Sequence, residues 1–275
     1  MESASSSVAP KIEPHNAKPA SVWSSGGDSY DDISAQISSA IEHAVLRLAP
    51  VQREQILDLA TGTGWTSRLL AKRGVDVTGA DIAEELLVSA RRRAAEESLN
   101  IQYVTGDAEK LPFGEAAFDA VISTFGVMFV SRPQAAADEI ARICRKRGRI
   151  VLTTWTPDGG VFEMFKVMRA YMQPAPNGPP SPFAWGSRER IHELFAQNFD
   201  LHFEDGITNY YTGSGADAWG AFVSGYGPMK SLAASLEPER RVQFERDFVA
   251  FHDSYRTELG VCLPREYLLT LGVRK

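Results

Sequence analysis

Short apolar runs and amphipathic stretches alternate along the chain from residue 55 to residue 155. Gln55 to Ala60 is an apolar run ending in a glycine-rich turn, and Trp65 to Arg73 has a helical period that stops at Gly74, a natural left-handed cap. Val75 to Ala80 predicts a second strand, and Glu84 to Glu97 a helix with Leu86, Leu87, Ala90 and Ala94 on one side. Ile101 to Thr105 and Phe118 to Ser123 read as strands. Pro133 to Arg145 reads as a helix with proline in its first turn, and Arg149 to Trp155 as a fifth strand. Such alternation predicts a parallel sheet with right-handed crossovers and helices on both faces.

The flanks differ. Upstream, Ile33, Ile37, Ile41, Val45 and Leu48 predict one helix ended by Pro50. Downstream, residues 172–186 are rich in Pro and Gly, and Ser187 to Gln197 is helical in pattern. Phe199 to Tyr211 reads as a strand, residues 216–259 as helices with Gly-Pro breaks, and Glu266 to Val273 as a closing strand. The last two strands suit antiparallel pairing at the sheet's edge. The expected fold is therefore α/β and doubly wound, a seven-stranded mostly parallel sheet with an antiparallel C-terminal strand and a helical lid.

Residues 1–20 carry Ser, Ala, Pro and Lys with almost no large apolar side chains, which predicts a disordered tail before a single domain over 21–275. The net charge of −6 argues against a phosphate-backbone partner. Two basic runs, Arg91-Arg92-Arg93 and Arg145-Lys146-Arg147, fall late in predicted helices and read as solvated cations near exposed carbonyls. Cys144 and Cys262 are far apart, without the clustering of a zinc site or a disulfide framework. No apolar stretch approaches the roughly 20 residues a bilayer requires, and no basic start with an apolar run marks a secretory signal. A cytoplasmic protein without membrane insertion is expected.

Candidate chemistry sits where the predicted strands end. Asp58-Leu59-Ala60-Thr61-Gly62-Thr63-Gly64 closes the first strand and opens a helix. Ligands of doubly wound sheets bind there, and glycines let the backbone approach them closely. Asp81 ends the second strand, where a carboxylate can accept both hydroxyls of a ribose. Gly106-Asp107-Ala108 follows the third, where a second carboxylate can meet an adenine amino group. Asp58 in an apolar strand end needs donors, from the loop amides or from a ligand ammonium.

With the motifs DLATGTG (58–64), VTGADIAEELL (77–87), GDAEKLPF (106–113), FDAVISTFGVMFV (118–130) and EIARICRKRGRI (139–150), the chain resembles class I S-adenosylmethionine (SAM)-dependent methyltransferases. It is most similar to their UbiE-like group and its small-molecule relatives, over roughly residues 55–156. The resemblance implies a Rossmann-like SAM-binding core. Asp58, Ala60, Thr61, Gly62 and Gly64 would surround the methionine part and Asp81 would hold the ribose. Ile82 would pack on adenine, Gly106, Asp107 and Ala108 would read its edge, and Ser123 and Phe125 would line the methyl-donor end. Trp23 to Tyr30 looks like the N-terminal strap that covers SAM in some relatives. The family's usual Pro-Gly-Gly before the fifth strand is here Lys146-Arg147-Gly148.

A nicotinamide-dinucleotide oxidoreductase is the alternative, but its fingerprint wants glycine where Ser67 stands, and Trp65 would crowd a pyrophosphate. A non-catalytic SAM-binding protein is a third reading. The expected reaction is metal-free in-line methyl transfer, giving S-adenosylhomocysteine. The motifs of nucleic-acid amino and cytosine C5 methyltransferases are missing, as are Mg²⁺-binding acid pairs beyond the fourth strand. The acceptor is then a small, largely apolar molecule, held by Met128, Phe129, Trp155, Phe183, Trp185, Trp219, Phe222 and Tyr226 from lid segments 157–185 and 213–260 and the neighbouring strand ends. If a general base exists, His252 with Tyr255 is the candidate, ahead of His192 and His202.

Overall fold

The computed structural model describes residues 12–173 and 178–275. Three helices come first, α1 (Ala17–Ser24), α2 (Tyr30–Ala35) and α3 (Ser38–Leu48). The alternating region holds β1 (Gln55–Leu59), α4 (Trp65–Ala71), β2 (Asp76–Asp81), α5 (Glu84–Glu96), β3 (Gln102–Thr105), β4 (Phe118–Thr124), α6 (Pro133–Ile143) and β5 (Cys144–Trp155). The C-terminal part holds α7 (Gly160–Arg169), α8 (Arg188–Phe195), β6 (Phe199–Thr212), α9 (Gly215–Gly225), α10 (Gly227–Ser235), α11 (Pro238–Asp253), β7 (Arg256–Thr257) and β8 (Gly260–Arg274).

The sheet order is β3-β2-β1-β4-β5-β8-β6, parallel from β3 to β5, with β8 antiparallel to both β5 and β6. The expected seven strands are all present. The eighth, β7, is a two-residue pairing onto the start of β8. Strand order reverses between β1 and β4, so the crevice of this fold opens beyond their carboxyl ends. Register brings the ends together: Leu59 pairs with Ala80, Asp81 with Thr105, and Asp58 with Ile122.

Several boundaries moved for tertiary reasons. The single helix expected over Ile33 to Leu48 is broken at Gln36 and Ile37, where Ile37 has φ −114° and ψ 14°. The apolar period runs through the break unchanged. What interrupts the ladder is the Gln36 carbonyl, which accepts from the Arg265 guanidinium of β8. The helix expected to run to Arg145 stops at Ile143, since Cys144 turns extended (ψ 128°) and joins β5. Arg145 then pairs with Asp119 and caps the Ala116 and Ala117 carbonyls, so this run is no set of helix-end cations. Nor is the other run merely solvated: Arg92 and Arg93 hold Asp28, and Arg93 also reaches Asp31 at 3.1 Å.

The tail expected over 1–20 is corrected in its second half. Residues 1–11 lie outside the described residues, but Pro14–Asn16 forms a 3₁₀ turn and α1 begins at Ala17. Composition misled because this segment is held by polar groups rather than by apolar burial. The Glu13 amide and the Asn16 side chain donate to Asp107 Oδ2, at 3.1 and 2.9 Å, and His15 Nε2 lies 2.7 Å from Glu109.

Candidate functional site

The loop after β1 turns sharply. Ala60 has φ +56° and Gly62 φ +58°, and a Cβ on Gly62 would come within 3.2 Å of the Tyr30 ring. At the end of β4, Phe125 is also left-handed (φ +56°), a conformation bulky residues adopt only where the surroundings impose it. Here the Phe125 amide donates to the Thr153 carbonyl and its ring stacks on Trp155, centroids 3.7 Å apart.

These bends frame a cavity of about 700 Å³, including its solvent mouth. Trp23, Tyr30, Ala60, Gly62, Asp81, Ile82, Gly106, Asp107, Ala108 and Phe125 line it, each named from sequence for the cofactor. Asp81 is positioned by backbone: Gly62 N–H donates to Oδ2 and Ala83 N–H to Oδ1, both at 2.8 Å. Burial pushes its pKa up while those amides pull it down. Each oxygen keeps acceptor capacity toward the cavity.

Four expected residues do not line that cavity. Asp58 is fully buried beneath the loop, where Oδ2 accepts from Thr61 Oγ1 (2.5 Å) and Ser67 Oγ (2.7 Å) and Oδ1 has no partner among the described residues. Burial pushes its carboxyl up to about 6. Thr61 turns inward with it, so hydroxyls rather than loop amides bond its Oδ2. Gly64 matters structurally: at φ +82° a Cβ there would sit 2.3 Å from the Tyr103 hydroxyl. Ser123 is buried and accepts from the Val127 amide. Asp107 does line the cavity, but its oxygens are already engaged, Oδ1 by the Glu109 amide and Oδ2 by Glu13 and Asn16.

A second cavity of about 600 Å³ adjoins the first, and Trp23, Tyr30, Phe125 and Phe129 line both. Trp23 packs edge-on against Tyr30, Phe129 and Tyr226, with centroids 6.1, 5.0 and 5.6 Å away. Of the residues expected to hold the acceptor, Phe129, Trp155, Phe222 and Tyr226 line this space. Met128, Phe183, Trp185 and Trp219 line neither cavity: all are buried, Phe183 packs on Phe162 and Phe165, Trp185 on Phe195, and Trp219 on Phe244 and Phe248. They are core.

The proposed base is misplaced too. His252 is buried against Phe248 and Phe222, its Nδ1 bonded to the Phe248 carbonyl at 2.9 Å, and burial pulls its pKa down. Neither it nor Tyr255 lines either of these two cavities, and nor do His192 and His202.

Sequence reasoning missed Asn16 and Pro19 in the first cavity, and Ile33, Ser34, Ile37, Tyr210, Leu263 and Arg265 in the second. A signal for Arg265 existed. Val261, Leu263, Arg265 and Tyr267 alternate along β8 and share its buried face, so one arginine interrupts an apolar row. Starting that strand at Glu266 hid it. Among the described residues no group of three His, Cys, Asp or Glu side chains could hold a metal ion, and no helix is long and apolar enough to cross a membrane.

A doubly wound sheet with a loop-and-carboxylate cavity at its switch point is the arrangement in which α/β proteins of this kind bind nucleosides. A family profile described as Methyltransferase domain matches residues 57–152. An uncharacterized protein of Mycobacterium tuberculosis is 34% identical over 250 residues, 90% of this chain and 87% of its own length. A demethylmenaquinone methyltransferase of Clavibacter sepedonicus is 44% identical over 105 residues, 38% of this chain and 42% of its own. The YcgJ protein of Bacillus subtilis shares the fold with a TM-score of 0.59 at 18% identity, covering 88% of this chain and 99% of that one. The chain belongs to the class I SAM-dependent methyltransferases, of UbiE-like type. SAM is its cofactor, which sets aside the nicotinamide reading.

Proposed function

We propose that this methyltransferase transfers the methyl group of SAM to a small, largely apolar acceptor, with the cofactor in the first cavity and the acceptor in the second. One observation carries the reading: the two spaces share four aromatic lining residues, Trp23, Tyr30, Phe125 and Phe129. The first offers a backbone-held carboxylate, Asp81, beside apolar Ile82, Leu86 and Ala108, which suits a ribose and a flat base. The second offers almost only aromatic and aliphatic side chains, which suits an apolar molecule oriented by few polar groups.

SAM supplies an activated methyl on a sulfonium. The chain's share is alignment: Asp81 fixes the nucleoside, and the shared wall sets which part of the acceptor faces it. Among the described residues no imidazole and no carboxylate lines the second cavity, so none of them offers a strong base there. Burial raises the pKa of Tyr30 and Tyr226, which keeps both as neutral hydroxyls. The acceptor's nucleophilic atom is then one that reacts without deprotonation by a described side chain of this cavity.

The segments 157–185 and 213–260 act as the lid. Helices α7 and α9 give Val161, Met164, Phe165 and Phe222 to the cavity, and α11 packs behind both. Residues 174–177 of the Pro/Gly-rich stretch lie outside the described residues. Calorimetry with SAM and with S-adenosylhomocysteine tests the assignment: saturable one-site binding of both is expected in the wild type. Binding that survives intact when Gly62 is replaced by Trp would overturn the placement of the cofactor.

A further inference from the structure

Among the described residues, Arg265 is the one charged side chain lining the second cavity. It is 5% exposed, and among the described residues no Asp or Glu lies within ion-pair distance of it. Its Nε donates to the Thr208 carbonyl at 3.3 Å and its Nη2 to the Gln36 carbonyl, while Nη1 has no acceptor among the described residues. The guanidinium lies over the Tyr210 and Trp155 rings, 5.3 and 5.8 Å from their centroids. Burial pulls its pKa down to about 10, so it remains a cation at neutral pH.

A buried cation without a counter-charge is costly, and two neutral carbonyls and two ring faces offset that cost only in part. The carbonyl bonds do brace β8 against the link between α2 and α3. Yet a brace alone has no need to face an open apolar cavity, nor to leave one arm of its fork unused. A planar fork with an idle arm is matched by a carboxylate, which two N–H groups can grip side by side. Trp155 connects this cation to the shared wall, because it stacks on Phe125.

We propose that the methyl acceptor carries a carboxylate, and that Arg265 binds it and orients the apolar remainder along the aromatic wall. This rests on the assignment of the second cavity to the acceptor. Arg265 is thus a specificity-determining residue, and the preferred acceptors are aromatic or similarly flat acids rather than neutral molecules of the same shape.

The test uses the full chain saturated with S-adenosylhomocysteine, so that no turnover intervenes. Two matched pairs of probes are titrated by calorimetry: 2-naphthoate with 2-naphthamide, and 4-hydroxybenzoate with 4-hydroxybenzamide. In the wild type at least one acid binds ten-fold or more tightly than its amide. Arg265→Lys keeps most of that preference and Arg265→Met abolishes it, while the affinity for S-adenosylhomocysteine stays the same in all three. Equal binding of acid and amide, no binding of either acid, or a preference that survives in Arg265→Met would each overturn the proposal. A purely structural arginine would lower the melting temperature of Arg265→Met and leave the acid-to-amide ratio untouched. Should Arg265→Met fail to fold, the wild-type ratio and its retention in Arg265→Lys decide. Failure of S-adenosylhomocysteine itself to bind would instead sink the cofactor assignment, so the two failures are separable.

Discussion

The two cavities meet at one wall but are made in opposite ways. The proposed cofactor side is built of backbone: strand ends in register, a left-handed loop, and a carboxylate held by two amides within 25 residues of sequence. The proposed acceptor side is built of side chains from α1, α2, β5, α7, β6, α9 and β8, which meet only after the whole chain has folded. The first arrangement tolerates change in its surroundings and is demanding about its few polar groups. The second can change its preference with any of a dozen side chains, which is how one fold serves many acceptors.

Mutations should separate the halves. The largest effect expected is from Trp219→Ala, a buried ring packed on Phe244 and Phe248 behind the acceptor cavity. It should cost about 3–5 kcal/mol of stability in urea denaturation and leave the affinity for S-adenosylhomocysteine unchanged. A loss of affinity with little loss of stability would instead make Trp219 a ligand contact.

Beneath the cofactor loop, Asp58 gives a pH signature. Its carboxyl is pushed up to about 6 by burial, so between about pH 4 and pH 6 the native chain keeps a proton the unfolded chain has released. Stability from this group therefore falls as pH rises through that window, by roughly 2–3 kcal/mol, and stays low above it. Asp58→Asn should flatten that slope in unfolding curves taken from pH 4 to 7. An unchanged slope would mean that the acid is ionised in its cage of hydroxyls.

Asp81→Ala should weaken binding of SAM by roughly 1.5–3 kcal/mol, the scale of charge-assisted hydrogen bonds. It should leave the acid-to-amide preference of the acceptor side intact, and unchanged affinity by calorimetry would remove Asp81 from the site. The smallest effect belongs to Asn16→Ala, which cuts the bond to Asp107 and another to Ser131. About 1 kcal/mol of cofactor affinity, roughly five-fold, should be lost, with faster hydrogen exchange over residues 12–16. Exchange already as fast in the wild type would show that residues 12–16 do not cover the cofactor.

The motifs that resemble the methyltransferase family lie on the side where local rules apply. Strand, glycine turn and terminal carboxylate follow one another within short stretches, so Asp81, Ile82, Gly106 and Ala108 could be placed from periodicity and resemblance. Asp58 lay on the same stretch, yet which of its neighbours would satisfy it depended on Thr61 and Ser67 turning inward. Composition alone made residues 12–20 a tail, because it weighs apolar area and misses the hydrogen bonds that hold Asn16 to Asp107.

By itself, then, the sequence determined the alternation of strands and helices, the polarity of the loop after β1, and the carboxylates at the ends of β1 and β2. Each depends on neighbours a few residues away. Only the tertiary structure decided which aromatics are core and which face a cavity, since Trp219 and Phe222 are three residues apart on one helix and only Phe222 lines the space. It alone also broke the helix at Gln36 and buried the Arg265 cation against a largely apolar chamber. Burial and pairing are properties of what arrives from elsewhere in the chain, and no local pattern of residues contains them.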